Sequence, residues 1–339
     1  MNHVNKPPEA LGFTGHTPTA SPKPSLPPLK PISAHELLAM DLPPRDLILA
    51  PWLPEKGLTM IYGPRGIGKT HLVLGCAWAI ASGGQFLTWA APKPRKVLII
   101  DGEMPGQVLQ ERLAAIAGDA IVKPPAGYLN FLPMDMQERG FDLADTSDQQ
   151  ELERLLNGID VIVVDNISTL IRGGKENEGE SWLPVQQWAL EQRRAGRSVV
   201  FIHHAGKGGQ QRGTSRREDV LDTVMSLRQP QNHEAEQGAR FEIHFEKNRG
   251  FYGEDAKPFE AALGAGGWTI RDLADVDMAR VIALTEEGLT AREIEAKTNI
   301  PKSRVNRIQA RAREAGKLTT PLPKAGRRSR SDPPMEYDA

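Results

Sequence analysis

The sequence predicts an α/β fold: a mostly parallel sheet covered by helices on both faces, followed by a small all-α C-terminal domain. Three observations carry this. Short, continuous apolar runs recur at Gly57–Tyr62, Lys96–Asp101, Ile159–Asp165 and Ser198–Ile202. Such runs mark strands buried on both faces, as in parallel sheets. Helical patterns alternate with them, as crossover connections between parallel strands require. Polar residues then gather where the runs end: 63–70, Asp101 and Glu103, Asp165, His203 and His204. Ligands of open parallel sheets sit beyond the C-terminal ends of the strands.

Composition narrows the classes. With 339 residues the chain is long enough for a core domain plus appendages. Its net charge of −1 shows no global basic excess, so any nucleic-acid surface must be local. The single cysteine, Cys76, excludes an intrachain disulfide, which fits a cytoplasmic location, and it sits in an apolar helical pattern as a core thiol. No apolar run approaches the roughly 20 residues of a membrane span, so no membrane partner is expected. The polar, proline-rich start is not a signal peptide.

In chain order, residues 1–31 read as a disordered proline-rich arm. Ser33 with Glu36 three residues later is a capping box that opens a short helix to Met40. The core α/β domain is expected over 32–272. Within it, His71–Ile80, Gln107–Ile116, Gln149–Leu156 and Trp182–Arg194 read as helices. Tyr128–Leu132, Val220–Leu227 and Arg240–Phe245 read as further strands, with a hairpin around 230–238.

Gly63-Pro64-Arg65-Gly66-Ile67-Gly68-Lys69-Thr70 is a GxxxxGK[ST] motif between a strand and a helix, a P-loop. Glycines let backbone N–H groups turn toward phosphate oxygens, and the helix N-terminus adds partial positive charge. Lys69 reaches the outer phosphates of ATP, the Thr70 hydroxyl holds Mg²⁺, and His71 continues the cradle into the helix. Asp165 ends an apolar strand in a Walker B pattern and is a second Mg²⁺ residue. Glu103 and Asp101 are candidates for the base that takes a proton from attacking water. His204 is a candidate phosphate sensor, with a packing role as the alternative.

The set Gly63–Thr70, Asp101-Gly-Glu103, Asp165, Phe201-Ile-His-His204 and Gln211-Arg-Gly-Thr214 resembles the RecA/DnaB-like superfamily. Within it the chain resembles the RepA-type replicative hexameric helicases of plasmids and phages, over about Leu42 to Gly253. That resemblance implies a RecA-like P-loop NTPase core, Glu103 as catalytic base and His204 as phosphate sensor. It also implies that Lys247 and Arg249 reach the neighbouring subunit's nucleotide in a homo-oligomeric ring, most simply a hexamer. An exposed strand-end charge pair is the alternative for these two. The family's loops that follow single-stranded DNA through the ring channel map to Arg172 and Lys175, and to Lys207, Arg212, Arg216 and Arg217. The chain departs from DnaB-type helicases in having the proline-rich arm in place of their N-terminal domain.

Residues 273–318 carry three helical patterns and resemble a helix-turn-helix. Thr290 with Glu293 caps the second pattern, and Asn299-Ile-Pro301 is the turn. The third carries Lys302, Arg304, Arg307, Arg311 and Arg313, with Ser303, Asn306 and Gln309 expected to reach base edges of duplex DNA. A helical protein-docking module fits the same pattern. Residues 319–339 read as a disordered basic tail. The expected function is an ATP-dependent DNA motor, a ring helicase of a plasmid, phage or mobile element. The alternative is a DNA-binding ATPase switch without unwinding: a loader, recombination factor or regulator.

Overall fold

The structure is a computed structural model that describes residues 29–172, 179–205, 218–230 and 233–320. The chain forms two compact units, Met1–Pro44 and Arg45–Ala339. In the first, α1 (Ala34–Ala39) opens with the Ser33–Glu36 capping box, closed in both directions, and buries none of its residues.

In the second unit, β1 (Leu47–Leu49) and β2 (Leu53–Pro54) form a small antiparallel pair. Then come β3 (Leu58–Gly63) and α2 (Lys69–Ser82), followed by a second small pair, β4 (Gln85–Phe86) and β5 (Trp89–Ala90). Next are β6 (Val97–Asp101), α3 (Gly106–Asp119), β7 (Leu129–Pro133), α4 (Thr146–Leu155) and β8 (Val161–Asp165). A one-turn α5 (Ile167–Leu170), α6 (Gly179–Arg194), β9 (Ser198–His204), β10 (Thr223–Arg228) and β11 (Arg240–Asn248) follow. A hairpin of β12 (Phe259–Gly264) and β13 (Gly267–Asp272) leads to α7 (Leu273–Glu286), α8 (Ala291–Thr298) and α9 (Lys302–Glu314).

Among the described residues the main sheet has nine strands in the order β13-β12-β11-β10-β3-β9-β8-β6-β7. From β10 to β7 every neighbouring pair is parallel, and the β11–β13 side is antiparallel. The fold is thus an α/β P-loop core with a mostly parallel sheet. The apolar runs are continuous because each strand feeds two cores. Val161 and Val163 of β8 join one cluster with α2 and α3, whereas Ile162 and Val164 join the other with α5 and α6. Alternate side chains of a strand face opposite sides, so a sheet buried on both needs apolar residues at every position. The P-loop strand β3 lies between β9 and β10, which puts its C-terminal end at the middle of the sheet edge.

Three β elements went unseen in the sequence, as did the one-turn α5. The pairs β1/β2 and β4/β5 are too short for any periodicity to register. The β12–β13 hairpin hides because β13 is exposed or half-buried along its whole length. Strand β11 extends to Asn248, so Lys247 lies inside a strand that the sequence ended at Phe245.

Candidate functional site

The loop from β3 to α2 forms the floor of a cleft of about 670 Å³. Gly68 takes φ +108°, and a Cβ there would stand 2.8 Å from the Cβ of Ala239, so a side chain is excluded by both backbone and space. No side chain caps the N-terminus of α2, so its first N–H groups face no acceptor of their own. Lys69 is buried and donates to the carbonyl oxygens of Gly63 (3.0 Å) and Pro64 (2.8 Å). Burial brings its ammonium pKa down to about 8 against the opposing pull of Asp165 and Glu103. Thr70 donates to Asp165, yet burial, with Asp101 alongside, pushes the Asp165 carboxyl up to about 7. A buried ammonium and a buried carboxylate, each displaced toward its neutral form, are matched to an anion and a cation respectively. This donor set fits a metal-bound polyphosphate. Among the described residues no cluster of three or more His, Cys, Asp or Glu side chains could hold a metal unaided.

The second wall comes from β6 and β8. Asp101 is buried and its Oδ1 accepts from the backbone N–H of Glu103 (2.9 Å) and Met104 (2.8 Å). It therefore fixes this turn through Oδ1 while also lining the cleft. The same turn is pinned by Gly102, whose N–H donates to Asp165 O at 2.7 Å. A Cβ at Gly102 would meet Thr169 Oγ1 at 2.6 Å, so only glycine lets this turn close on α5. The result holds Glu103 at the cleft with its side chain 53% exposed, 3.6 Å from His204 Nε2. Asn166 donates through Nδ2 to Glu103 Oε2, and the same nitrogen lies 3.3 Å from His204 Nε2. Asn166 went unremarked in the sequence, although a polar residue directly after a Walker B aspartate was the available signal. Arg112 was also missed. It lines the cleft four residues after Val108 on α3, a spacing that puts both on one helix face. Arg112 and burial together lower the pKa of His71, with burial the larger cause.

Gly66, Gly68, Lys69, Thr70, His71, Glu103, Asp165 and His204 thus all border one cleft. Lys247 and Arg249 do not. β11 runs antiparallel to β10, pairing Lys247 with Val224, which pairs with Met60 of β3. Arg249 N donates to Asp222 O, beside the N-terminal end of β3. The length of β3, roughly 17 Å at the usual rise, separates that point from the cradle. Arg249 is exposed, whereas Lys247 is half-buried and donates to the carbonyl oxygen of Glu218. Arg172 is exposed. Lys175, Lys207, Arg212, Arg216, Arg217 and the stretch 211–214 lie outside the described residues.

Helices α7–α9 close around their own core of Val281, Leu284, Ile294, Ile300, Val305 and Ile308. Thr290 and Glu293 form the expected capping box. Lys302, Ser303, Asn306 and Arg307 of α9 are exposed. Arg304 is tied to Asp277 at 2.6 Å. Gln309 cannot reach bases: it is 2% exposed and donates to Thr285 Oγ1 at 2.8 Å.

A glycine cradle at the middle of a parallel sheet edge, facing carboxylates from the next strands, is the arrangement of a P-loop ATPase. The chain belongs to the AAA domain family, which matches residues 22–210, more than half of its length. It is similar to the DNA repair and recombination protein RadB of Methanocaldococcus jannaschii, with 33% identity over 120 residues, 35% of this chain and 48% of RadB. The chain therefore matches about half the length of that curated relative. Among solved structures, a KaiC-like protein from Pyrococcus horikoshii OT3 superposes with a TM-score of 0.46 at 14% identity, covering 64% of this chain and 90% of that one. No described helix is long and apolar enough to cross a membrane.

Proposed function

We propose that the chain hydrolyses ATP at a site shared between subunits and uses the cycle to drive a ring along DNA. The observation that carries the hydrolytic part is the meeting of Glu103, Asn166 and His204 at the mouth of the P-loop cleft. A site that only bound nucleotide would need the cradle but no exposed carboxylate beside it. Residues 63–71 hold the phosphate chain, with Lys69 on the outer phosphates. Thr70 and Asp165 would hold Mg²⁺. When bound, that ion neutralises phosphate charge and orients the chain. Glu103 takes a proton from water as its oxygen attacks the terminal phosphorus and the bond to the bridging oxygen breaks. His204 donates to the terminal phosphate. Lys247 and Arg249, too far from their own cradle, serve the next subunit's nucleotide and stabilise charge on the transferring phosphoryl group. Arg249 is the stronger of the pair, because Lys247 is already engaged by Glu218 O.

The DNA part rests on exposed residues of α9, the basic Lys302 and Arg307 with the hydroxyl of Ser303, in a helix-turn-helix arrangement. Phosphate contacts from such residues position a helix on duplex DNA. Arg172, Lys175, Lys207, Arg212, Arg216 and Arg217 are assigned to single-stranded DNA in the ring channel. A second reading, an ATPase switch without unwinding, is favoured by the likeness to RadB, whose name places it in repair and recombination. Strand displacement on a forked duplex decides between them. ATPase activity stimulated by single-stranded DNA with no displacement favours the switch. For the shared site, Arg249→Ala protein is mixed with Lys69→Ala protein. Each lacks a different half of the interface, so mixed rings regain activity at the intact junctions. A mixture with no more activity than its parts overturns the trans assignment.

A further inference from the structure

We propose that a groove along the outer edge of the sheet, between β13 and α7, is the docking site of the chain's own acidic segment Asp332–Asp338. The inference is independent of the ATPase and DNA readings above. The groove encloses about 760 Å³, more than the nucleotide cleft. Ile270, Arg271 and Asp272 of β13 all line it. Successive side chains of a strand point to opposite faces, so three in a row border one groove only where it runs along the strand's edge. β13 is the last strand in the sheet order, and no described strand pairs with its outer side. Such an edge presents backbone N–H and C=O groups to one more extended segment. α7 supplies the other wall through Val276, Ala279 and Ala283, spaced to share one helix face. Both alanines are exposed and Ile270 is 40% exposed, so this apolar lining is open to solvent.

Charge and reach select the occupant. Four cations line the groove, Arg240, Arg271, Arg280 and Lys297, against two carboxylates, Asp272 and Asp275. Asp272 Oδ1 is engaged by Ala274 N–H at the start of α7 (2.6 Å), and Arg240 is matched by Glu260 at 2.8 Å. Lys297 has only Glu287, at 3.8 Å, among its printed ion pairs. The result is a basic rim over an apolar floor, which suits a segment both acidic and apolar. Of the stretches outside the described residues, 332–338 is the one with that composition: Asp-Pro-Pro-Met-Glu-Tyr-Asp. Residues 206–217 are basic, 1–28 hold the single acid Glu9, and 173–178 hold acids but no apolar residue. Met335 and Tyr337 alternate with Glu336 and Asp338, the period that puts apolar groups on one side of an added strand and acids on the other. The segment can also reach. α9 packs against α7 and α8, and is about 20 Å long at the usual rise. Beyond it Gly316 takes φ +68° and turns the chain back, Leu318 is buried, and Arg313 donates to Thr320 O at 3.0 Å. From there residues 321–332 span up to about 40 Å when extended. Docking would tether the intervening Lys324, Arg327, Arg328 and Arg330 at both ends.

The test titrates a fluorescein-labelled peptide of residues 331–339 against the full-length chain. Met335→Ser with Tyr337→Ser weakens the chain's own segment and opens the groove. The peptide should bind this variant about tenfold or more tightly than wild type, whose tethered segment competes at high effective concentration. In the same background Ala283→Trp fills the groove and Lys297→Glu reverses part of its rim. Each should weaken the peptide by about tenfold or more, while thermal melting by circular dichroism shows a folded chain. If Ala283→Trp does not fold, Ala279→Trp takes its place. Equal affinity for wild type and the opened variant overturns the proposal. So does binding that neither groove variant weakens, or that a scrambled peptide matches. Two further outcomes also overturn it by naming another occupant. Loss of duplex DNA affinity on Lys297→Glu, with peptide binding unchanged, makes the groove a nucleic-acid surface. Exclusion of the peptide from wild type that vanishes on dilution makes the occupant a segment of a second copy. None of these readouts depends on hydrolysis, so the ATPase reading stands or falls separately.

Discussion

The two ends of the parallel sheet treat buried charge in opposite ways. At the N-terminal end of β3, the buried Asp222 carboxylate is fully employed: Oδ2 accepts from Leu58 N–H at 2.9 Å and from Arg193 at 2.6 Å, with Arg45 at 3.6 Å. Its contacts tie α6 and the entry to the sheet together. At the C-terminal end, Lys69 donates to carbonyl oxygens of its own loop, and Asp165 has Thr70 and a repelling Asp101. One end spends its charges on the fold, while the other keeps them for a ligand. Unfavourable burial at the cleft is what an incoming phosphate and its cation relieve.

The largest expected effect probes the cleft end. Glu103→Gln lowers kcat by roughly 10²- to 10⁴-fold while thermal stability holds, because its side chain is half-exposed. A large drop in Tm would mean that Glu103 also supports the fold. Asp222→Ala should do the reverse. It strands Arg193 and the Leu58 N–H and costs roughly 3–5 kcal/mol in chemical denaturation, yet ADP affinity of the folded fraction persists.

Asp165→Asn separates the two ends by pH. Burial raises this carboxyl from its ordinary 3.8 to about 7. Between these values the folded chain keeps a proton that the unfolded chain has lost, so stability falls as pH rises through that window. Asparagine removes the loss. Nucleotide-free Asp165→Asn should exceed wild type by on the order of 4 kcal/mol at pH 8 and match it near pH 4. The same variant loses the Mg²⁺ dependence of ATP binding. If it is destabilised at pH 8, Asp165 belongs with Asp222 as a structural charge. The smallest effect lies outside both ends: Thr290→Ala loses a capping box and about 1 kcal/mol, read as a small fall in Tm with ATP turnover unaltered.

Much of the site was legible because phosphate chemistry demands particular residues at fixed local spacing. The stretch 63–70 and the strand ending at Asp165 are contiguous patterns, and each sits where it was expected. Gln309 was misread, and the turn-fixing role of Asp101 missed, for the same reason. Sequence shows that a residue has polar atoms, but not whether the backbone of its own turn or a facing helix has already claimed them. Asn166 was invisible as a bridge because its partners are 63 and 38 positions away in the chain.

By itself, the sequence determined the doubly covered parallel sheet, the P-loop between its strand and helix, and the capped C-terminal helices. These follow from periodicity and local sterics, which act over a few residues. Only the tertiary structure decided which end of the sheet each charge occupies, that Arg249 lies a full strand length from its own cradle with Lys247 level with the middle of β3, and that one buried amide joins Glu103 to His204. Those relations depend on strand order and direction, which bring distant segments within hydrogen-bonding range and leave no local trace.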